Sequence, residues 1–286
     1  MNILLAIDFS DSSELAVSEV GIRPWPRGSK ICVLSVVDAT SFIETPSLAQ
    51  TAAAAAQSLV ENAAQRLRLR GLETTTAVLH GHPRTDIPKY AKEWGANFLV
   101  VGSRGHSALT RFVMGSVAQA AVRHAPCSVE VVRAGTHDSA RNETGPMKIF
   151  LATDGSECSI AAGRSVVERP WPDGTEVNVL SAVSVVVPTS WYVDPLLIDE
   201  LWADAEEKAH RAVGKARAIL SQSRLKVITS VLRGDPRALI VDQSTDWNAD
   251  LVVLGSHGRR GLTRMFLGSV SEAVVAHARC SVDVIR

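Results

Sequence analysis

Phe98-Leu-Val-Val-Gly102-Ser-Arg-Gly105 is followed after nine residues by Gly115-Ser116-Val117, and Leu251-Val-Val-Leu-Gly255-Ser-His-Gly258 is followed after nine residues by Gly268-Ser269-Val270. A short run rich in β-branched residues reads as a strand rather than a helix. Glycines at its end let the backbone turn tightly and bring N–H groups close to a ligand without Cβ obstruction. The Gly-Ser pair then opens a helical stretch, Ser116 to His124 in the first case. Its first N–H groups lack intrahelical partners and its dipole is positive there, so an anion is stabilised at that point. The hydroxyls of Ser116 and Ser269 add donors for phosphate oxygens. A single loop of this kind is often only a turn, but the full spacing occurring twice favours a phosphate cradle in each copy.

The rest of the chain repeats around these loops. Asn2-Ile-Leu-Leu-Ala-Ile-Asp8-Phe-Ser10 returns as Lys148-Ile-Phe-Leu-Ala-Thr-Asp154-Gly-Ser156. Arg23-Pro-Trp-Pro26 returns as Arg169-Pro-Trp-Pro172, an offset of 169 − 23 = 146, and Cys127-Ser-Val returns as Cys280-Ser-Val, an offset of 280 − 127 = 153. The second copy therefore carries 153 − 146 = 7 extra residues, placed between Val183 and Gly234, with Ser184 to Asp199 (Trp191 and Tyr192 included) as the longer loop. Residues 134–146 are polar, turn-rich and aperiodic, and read as a linker between domains at 1–133 and 147–286. The 286-residue length agrees with two units, at roughly 100–200 residues per domain.

Within the first copy, Ile3 to Ile7, Ile31 to Val37, Thr74 to Leu79, Phe98 to Val101 and Ser128 to Val132 read as strands. Ser10 to Val20 opens on Ser and Asp capping candidates, and the Ala-rich Thr51 to Arg70 stops at Gly71 as a helix does. Alternating strands and helices with uniformly apolar strands imply an α/β fold with a parallel sheet covered on both faces. In such a doubly wound sheet the ligand lies at the carboxyl ends of the strands where the winding reverses.

Thirty basic and thirty acidic side chains cancel, so no global field draws the chain to nucleic acid or an anionic membrane. No apolar run reaches the roughly 18 residues of a membrane span, and Asp8 interrupts the amino-terminal apolar run before a signal segment is complete. A cytoplasmic protein is expected. Four cysteines in this length form no disulfide scaffold, and Cys127 and Cys280 read as small buried hydrophobes. His80, His82, His124 and His277 lack metal-ligand spacing. Trp25 and Trp171, each between prolines, read as packing and turn residues, and Glu206 to Arg211 as a solvated helix face. Walker, dinucleotide-binding and Gly-x-Ser-x-Gly patterns are all missing.

The pattern Gly-x2-Gly-x9-Gly-Ser, after a Val-rich strand and before a Cys-Ser-Val strand, resembles the ATP-binding branch of the universal stress protein family, in its tandem two-domain form. The resemblance implies two adenine nucleotide alpha hydrolase-like sheets of order 3-2-1-4-5, packed as an internal pseudo-dimer, with a homodimer also open. It implies ATP as ligand, with Ala6, Asp8 and Val37 on the nucleoside side and Gly102, Gly105, Gly115, Ser116 and Val117 on the phosphates. Ala152, Asp154, Val183, Gly255, Gly258, Gly268, Ser269 and Val270 are the second set. Asp8 and Asp154 are candidates for ribose or for Mg²⁺, against a plain helix-capping role. The copies depart where Phe9 faces Gly155, Arg104 faces His257 and His106 faces Arg259. An ATP-holding regulatory protein of the stress response is the leading reading. The alternatives are a slow ATPase or nucleotidyl-transfer enzyme, which the missing Walker lysine and missing second acidic residue beside Asp8 disfavour, and a partner-binding scaffold.

The apolar last strands of the two copies would be bare sheet edges in isolated halves. Each half, cut at the linker and produced alone, is therefore expected to aggregate or self-associate by sedimentation; two soluble monomers would overturn the pseudo-dimer.

Overall fold

The computed structural model describes residues 1–38, 46–105, 114–134, 145–185, 195–259 and 267–286. His106, most of the linker and the second-copy loop around Trp191 and Tyr192 lie outside them. The chain divides into two compact units, one built mainly from Met1–Thr144 and one mainly from Gly145–Cys280.

The first unit alternates β1 (Asn2–Ala6), α1 (Asp11–Ile22), β2 (Lys30–Asp38), α2 (Pro46–Leu69), β3 (Glu73–Gly81), α3 (Pro83–Glu93), β4 (Phe98–Gly102), α4 (Ser116–His124) and β5 (Ser128–Val132). The second repeats this as β6 (Lys148–Ala152), α5 (Glu157–Val167), β7 (Glu176–Val183), α6 (Pro195–Leu220), β8 (Lys226–Arg233), α7 (Pro236–Asp246), β9 (Leu251–Gly255), α8 (Ser269–His277) and β10 (Ser281–Ile285). The order is β3-β2-β1-β4-β5 in the first, and β8-β7-β6-β9 with β10 next in the second. The pairings β1 with β2 and β4, and β6 with β7 and β9, are parallel. The winding therefore reverses between β1 and β4, and between β6 and β9, as expected from the alternation of elements.

Burial on both faces explains the apolar strands: Ile3, Leu4, Leu5, Val33, Leu99 and Val100 are inaccessible to solvent, as are Ile149, Phe150, Leu151 and Val252. Cys127 and Cys280 are buried among them as free thiols. Two helices escaped the sequence reading, α3 and α7. They bury few residues, Ile87, Pro88 and Ala91 in α3 and Ile240 and Ser244 in α7, and the usable signal was proline in the first turn, Pro83 and Pro236, where a missing N–H costs nothing.

The repeated Arg-Pro-Trp-Pro segment holds the end of α1 and of α5. The Trp25 Nε1–H donates to the Val20 carbonyl at 2.8 Å and the Trp171 Nε1–H to that of Val166 at 2.7 Å, satisfying last-turn carbonyls that a helix leaves open. Trp25 also meets Phe98 edge-on at 5.8 Å between centroids. Arg23, just before it, is a feature the sequence reading passed over. Its fully buried guanidinium donates to Glu130 Oε1 at 2.7 Å across the unit and lies 3.2 Å from Glu19. Burial works against its charge, but the carboxylates of Glu130 and Glu19 more than offset this and hold it above its ordinary value.

Removing one partner of a buried pair costs up to about 3–5 kcal/mol, even with Glu19 still 3.2 Å from Arg23, whereas an exposed pair contributes under about 1 kcal/mol. Urea denaturation is expected to show Glu130→Ala losing stability on the larger scale and Glu14→Ala, from the exposed pair with Arg66, on the smaller. Equal losses would contradict this account of the core.

Candidate functional site

The strand ends bring the glycines of each half against the start of its first helix. A Cβ on Gly102 would lie 2.8 Å from the Ser12 backbone, and one on Gly255 2.7 Å from that of Cys158. These distances are too short for any side chain, so glycine here allows a close approach of backbones rather than a special φ. The Gly115 N–H then donates to the Ser103 carbonyl at 2.9 Å, and that of Gly268 to Ser256 at 2.8 Å. The nine-residue excursion thus returns to its own starting point, and both glycine pairs face one place, as the spacing suggested.

Asp8 and Asp154 sit beside this loop rather than capping a helix. The caps are Ser10 and Ser156, whose hydroxyls accept from the Ser13 and Ser159 N–H groups. Asp8 Oδ1 accepts from the Ser10 N–H at 3.1 Å and the Ser13 hydroxyl at 2.7 Å. Asp154 Oδ1 accepts from the Ser156 N–H, and its Oδ2 from the Arg259 N–H, both at 2.9 Å. Ser10 donates to the Arg104 carbonyl and Ser156 to that of His257, each at 3.2 Å. The cap serine therefore links aspartate, first helix and glycine loop in both halves. Burial raises the Asp154 pKa, but the bonds from Ser156, Arg259 and Ser159 outweigh it and hold the carboxyl below its ordinary value.

The helices that follow the loops start on glycine. Gly115 and Gly268 are the N-caps of α4 and α8 and offer no side chain to the first-turn N–H groups, unlike Ser10 and Ser156. Ser116 and Ser269 are exposed, with Val117 and Val270 half-buried beside them. Ala6 and Ala152 end the first strands, in register with Leu34 and Val101 and with Leu180 and Leu254. Val37 and Val183 lie near or at the ends of the next strands; the Val183 carbonyl already accepts from the Gly234 N–H at 2.9 Å. The loops, the aspartates and the ends of the first two strands thus share the carboxyl edge of each sheet.

The halves differ at the mouth. Phe9 is 58% exposed, while Gly155 at the same place has φ +78°. His257 Nδ1 lies 2.9 Å from the Ser256 hydroxyl, and burial followed by the charge of Arg286 pushes its imidazole below its ordinary pKa. The sequence reading noted these exchanges but not the serine links, whose only signal was Ser10 and Ser156 two residues after each aspartate.

The family model described as "Universal stress protein family" matches residues 1–133 and 146–286. A universal stress protein of Methanocaldococcus jannaschii is 33% identical over 145 residues, covering 49% of this chain and 81% of its own. One of Mycobacterium tuberculosis is 33% identical over 193 residues, which cover 67% of this chain but only 62% of that relative. The crystal structure of a universal stress protein from Archaeoglobus fulgidus superposes with a TM-score of 0.70 at 21% identity, over 100% of this chain and 96% of that one.

Because the folded Asp154 carboxyl titrates below the ordinary value of 3.8, its contribution to stability is fully present above that value and fades as pH falls through the lower folded one. Asp154→Asn is expected to cost about 2 kcal/mol at neutral pH, a gap that narrows in urea titrations run below pH 3.8. A gap independent of pH would show that the carboxylate does not hold the loop by its charge.

Proposed function

The chain belongs to the universal stress protein family, and we propose that each half holds one adenine nucleotide, its phosphates on the glycine loop and helix start. The observation that carries this is the pair of uncapped helix starts, at Gly115 and Gly268, each folded back onto a glycine-walled loop at the reversal point of its sheet. First-turn N–H groups with no capping side chain, a helix dipole and an exposed serine hydroxyl form a donor set suited to phosphate. A Cβ on Gly115 would lie 3.3 Å from Arg104 Cα and Gly105 N, and one on Gly268 3.2 Å from the Ser256 carbonyl. The fit to a phosphate chain is therefore made by backbone, and the nucleoside falls toward the ends of β1 and β2, or of β6 and β7.

The aspartates act first as ties within the loop. A carboxylate has about four acceptor positions, and the bonds from Ser156, Arg259 and Ser159 already use those of Asp154, so a ribose hydroxyl or a nucleotide-bound Mg²⁺ at Asp8 or Asp154 would take the place of one of the loop's own bonds. The proposed role is regulatory: nucleotide occupancy of each site shifts the conformation or partner choice of the chain. Phosphoryl transfer depends on positioning and charge neutralisation, and the loops offer mainly backbone donors, so holding rather than turnover is the proposed activity.

Calorimetry with ATP is expected to give two sites per chain, with Gly115→Val removing the first and Gly268→Val the second. One site in the wild type, or none, would refute the proposal.

Phosphate release with Mg²⁺ present is expected to stay below about one turnover per second, the lower end for ordinary enzymes. A faster rate that disappeared in the double variant would make the protein an ATPase.

A further inference from the structure

We infer that the two sites are unequal, and that Arg259 makes the second the one that demands a long phosphate chain. This rests on the nucleotide-holding reading above and extends it to one side chain.

The Arg259 backbone N–H donates to Asp154 Oδ2 at 2.9 Å, which fixes the residue at the carboxylate edge of the loop. Its guanidinium folds back over Gly155: Nη2 lies 3.2 Å from where a Cβ on that glycine would stand, and donates to the Lys208 carbonyl of α6 at 3.3 Å. Two features make the space. Gly155 has φ +78° and no side chain, and Ala212 of α6 would lie 3.1 Å from its Cβ position. A side chain at 155 would fill the ground over which the guanidinium lies.

A guanidinium has five donors in a planar fork. Among the described residues this one bonds a single peptide carbonyl, a neutral acceptor that an anion readily replaces. Its backbone sits at the aspartate's edge of the loop and its guanidinium beside Gly155 and α6, so a phosphate chain running from the start of α8 toward Asp154 would meet this charge after the backbone N–H groups that bind the nearest phosphate. Its gain grows with the negative charge carried beyond that phosphate.

The first half is built otherwise at the same rim. Phe9 stands where Gly155 does, outside the left-handed region and 58% exposed. At the offset of 153, Ala55 and Leu59 answer Lys208 and Ala212, so the helix wall is apolar there, and His106 answers Arg259 in the sequence. The cation of this half is Arg104, at the place of His257, with its Cα 3.3 Å from the Cβ position of Gly115 in the loop itself; beside Phe9 and Leu59, where Arg259 lies in the second half, the rim contributes contact area and no charge that grows in value with the length of the phosphate chain.

The test compares ATP with AMP by calorimetry in two backgrounds, Gly115→Val to report the second site and Gly268→Val to report the first. The second site is expected to prefer ATP over AMP more strongly than the first. Arg259→Gln, which keeps the backbone bond to Asp154, is expected to weaken ATP at the second site by roughly tenfold to a hundredfold. AMP there, and both nucleotides at the first site, should change little. Arg259→Lys is expected to recover part of the loss, and added salt to shrink the wild-type preference. If both sites bind nucleotide but Arg259→Gln leaves the ATP-to-AMP ratio unchanged, the inference fails and the nucleotide-holding reading stands. If neither nucleotide binds in either background, both fail.

Discussion

Everything at the carboxyl edge of each sheet depends on one close approach, the backbone of the fourth strand's last glycine against the first turn of the first helix. With a Cβ position 2.7–2.8 Å from Ser12 or Cys158, any side chain at Gly102 or Gly255 would push the helix away from the strand. The helix start carries the cap serine, and that serine carries the bonds to the aspartate and to the loop carbonyl. Strand end, helix start and loop therefore move as one body. The close approach also fixes where the loop must return, since Gly115 and Gly268 bond residues directly after those glycines.

The fold was legible because its determinants are local and repeated. Five short Val- and Ile-rich runs per copy, helices between them and turn residues at their ends leave few alternatives to a parallel sheet, and the duplication removed most accidental readings. The glycine loops were legible for the same reason. What escaped was tertiary. Arg23 and Glu130 are 107 residues apart, and nothing in the local pattern says that these two charges meet in the core. Ser10 was legible as a capping candidate and is the cap; what escaped was the second bond of the cap serines, because only the fold shows the hydroxyl reaching the loop carbonyl. Helices α3 and α7 escaped because the few residues each buries, Ile87, Pro88 and Ala91 or Ile240 and Ser244, give a periodicity argument little to count.

The buried polar groups divide by purpose. The pair of Arg23 with Glu130 lies in the core and holds the end of α1 to strand β5, where it is expensive to break. The hydrogen-bonded aspartates lie at the sheet edge, where one oxygen is committed to the serine link and the rest of the carboxylate faces the loop. For Asp154 the bonds that hold the carboxylate come from the N–H and O–H dipoles of Ser156, Arg259 and Ser159, which add little net positive field to the cradle. The attraction for a phosphate chain must then come from the helix start and from the rim.

That division explains where the two copies diverge. The close-packed glycines, the cap serines and the aspartates are each tied to at least one other element, so a change at any of them must be matched elsewhere. Phe9, Gly155, Arg104, His257 and Arg259 project from those ties or lie between them, and their side chains can be exchanged while the backbone bonds stay in place. Arg104 and His257 show this directly, because Ser10 and Ser156 bond their carbonyls at the same 3.2 Å although one side chain is a guanidinium and the other an imidazole. A cradle made of backbone conserves its geometry under such exchange, whereas affinity and ligand preference follow the side chains around it. Under the proposed function, two copies with one geometry and two rims would answer different nucleotides within one chain.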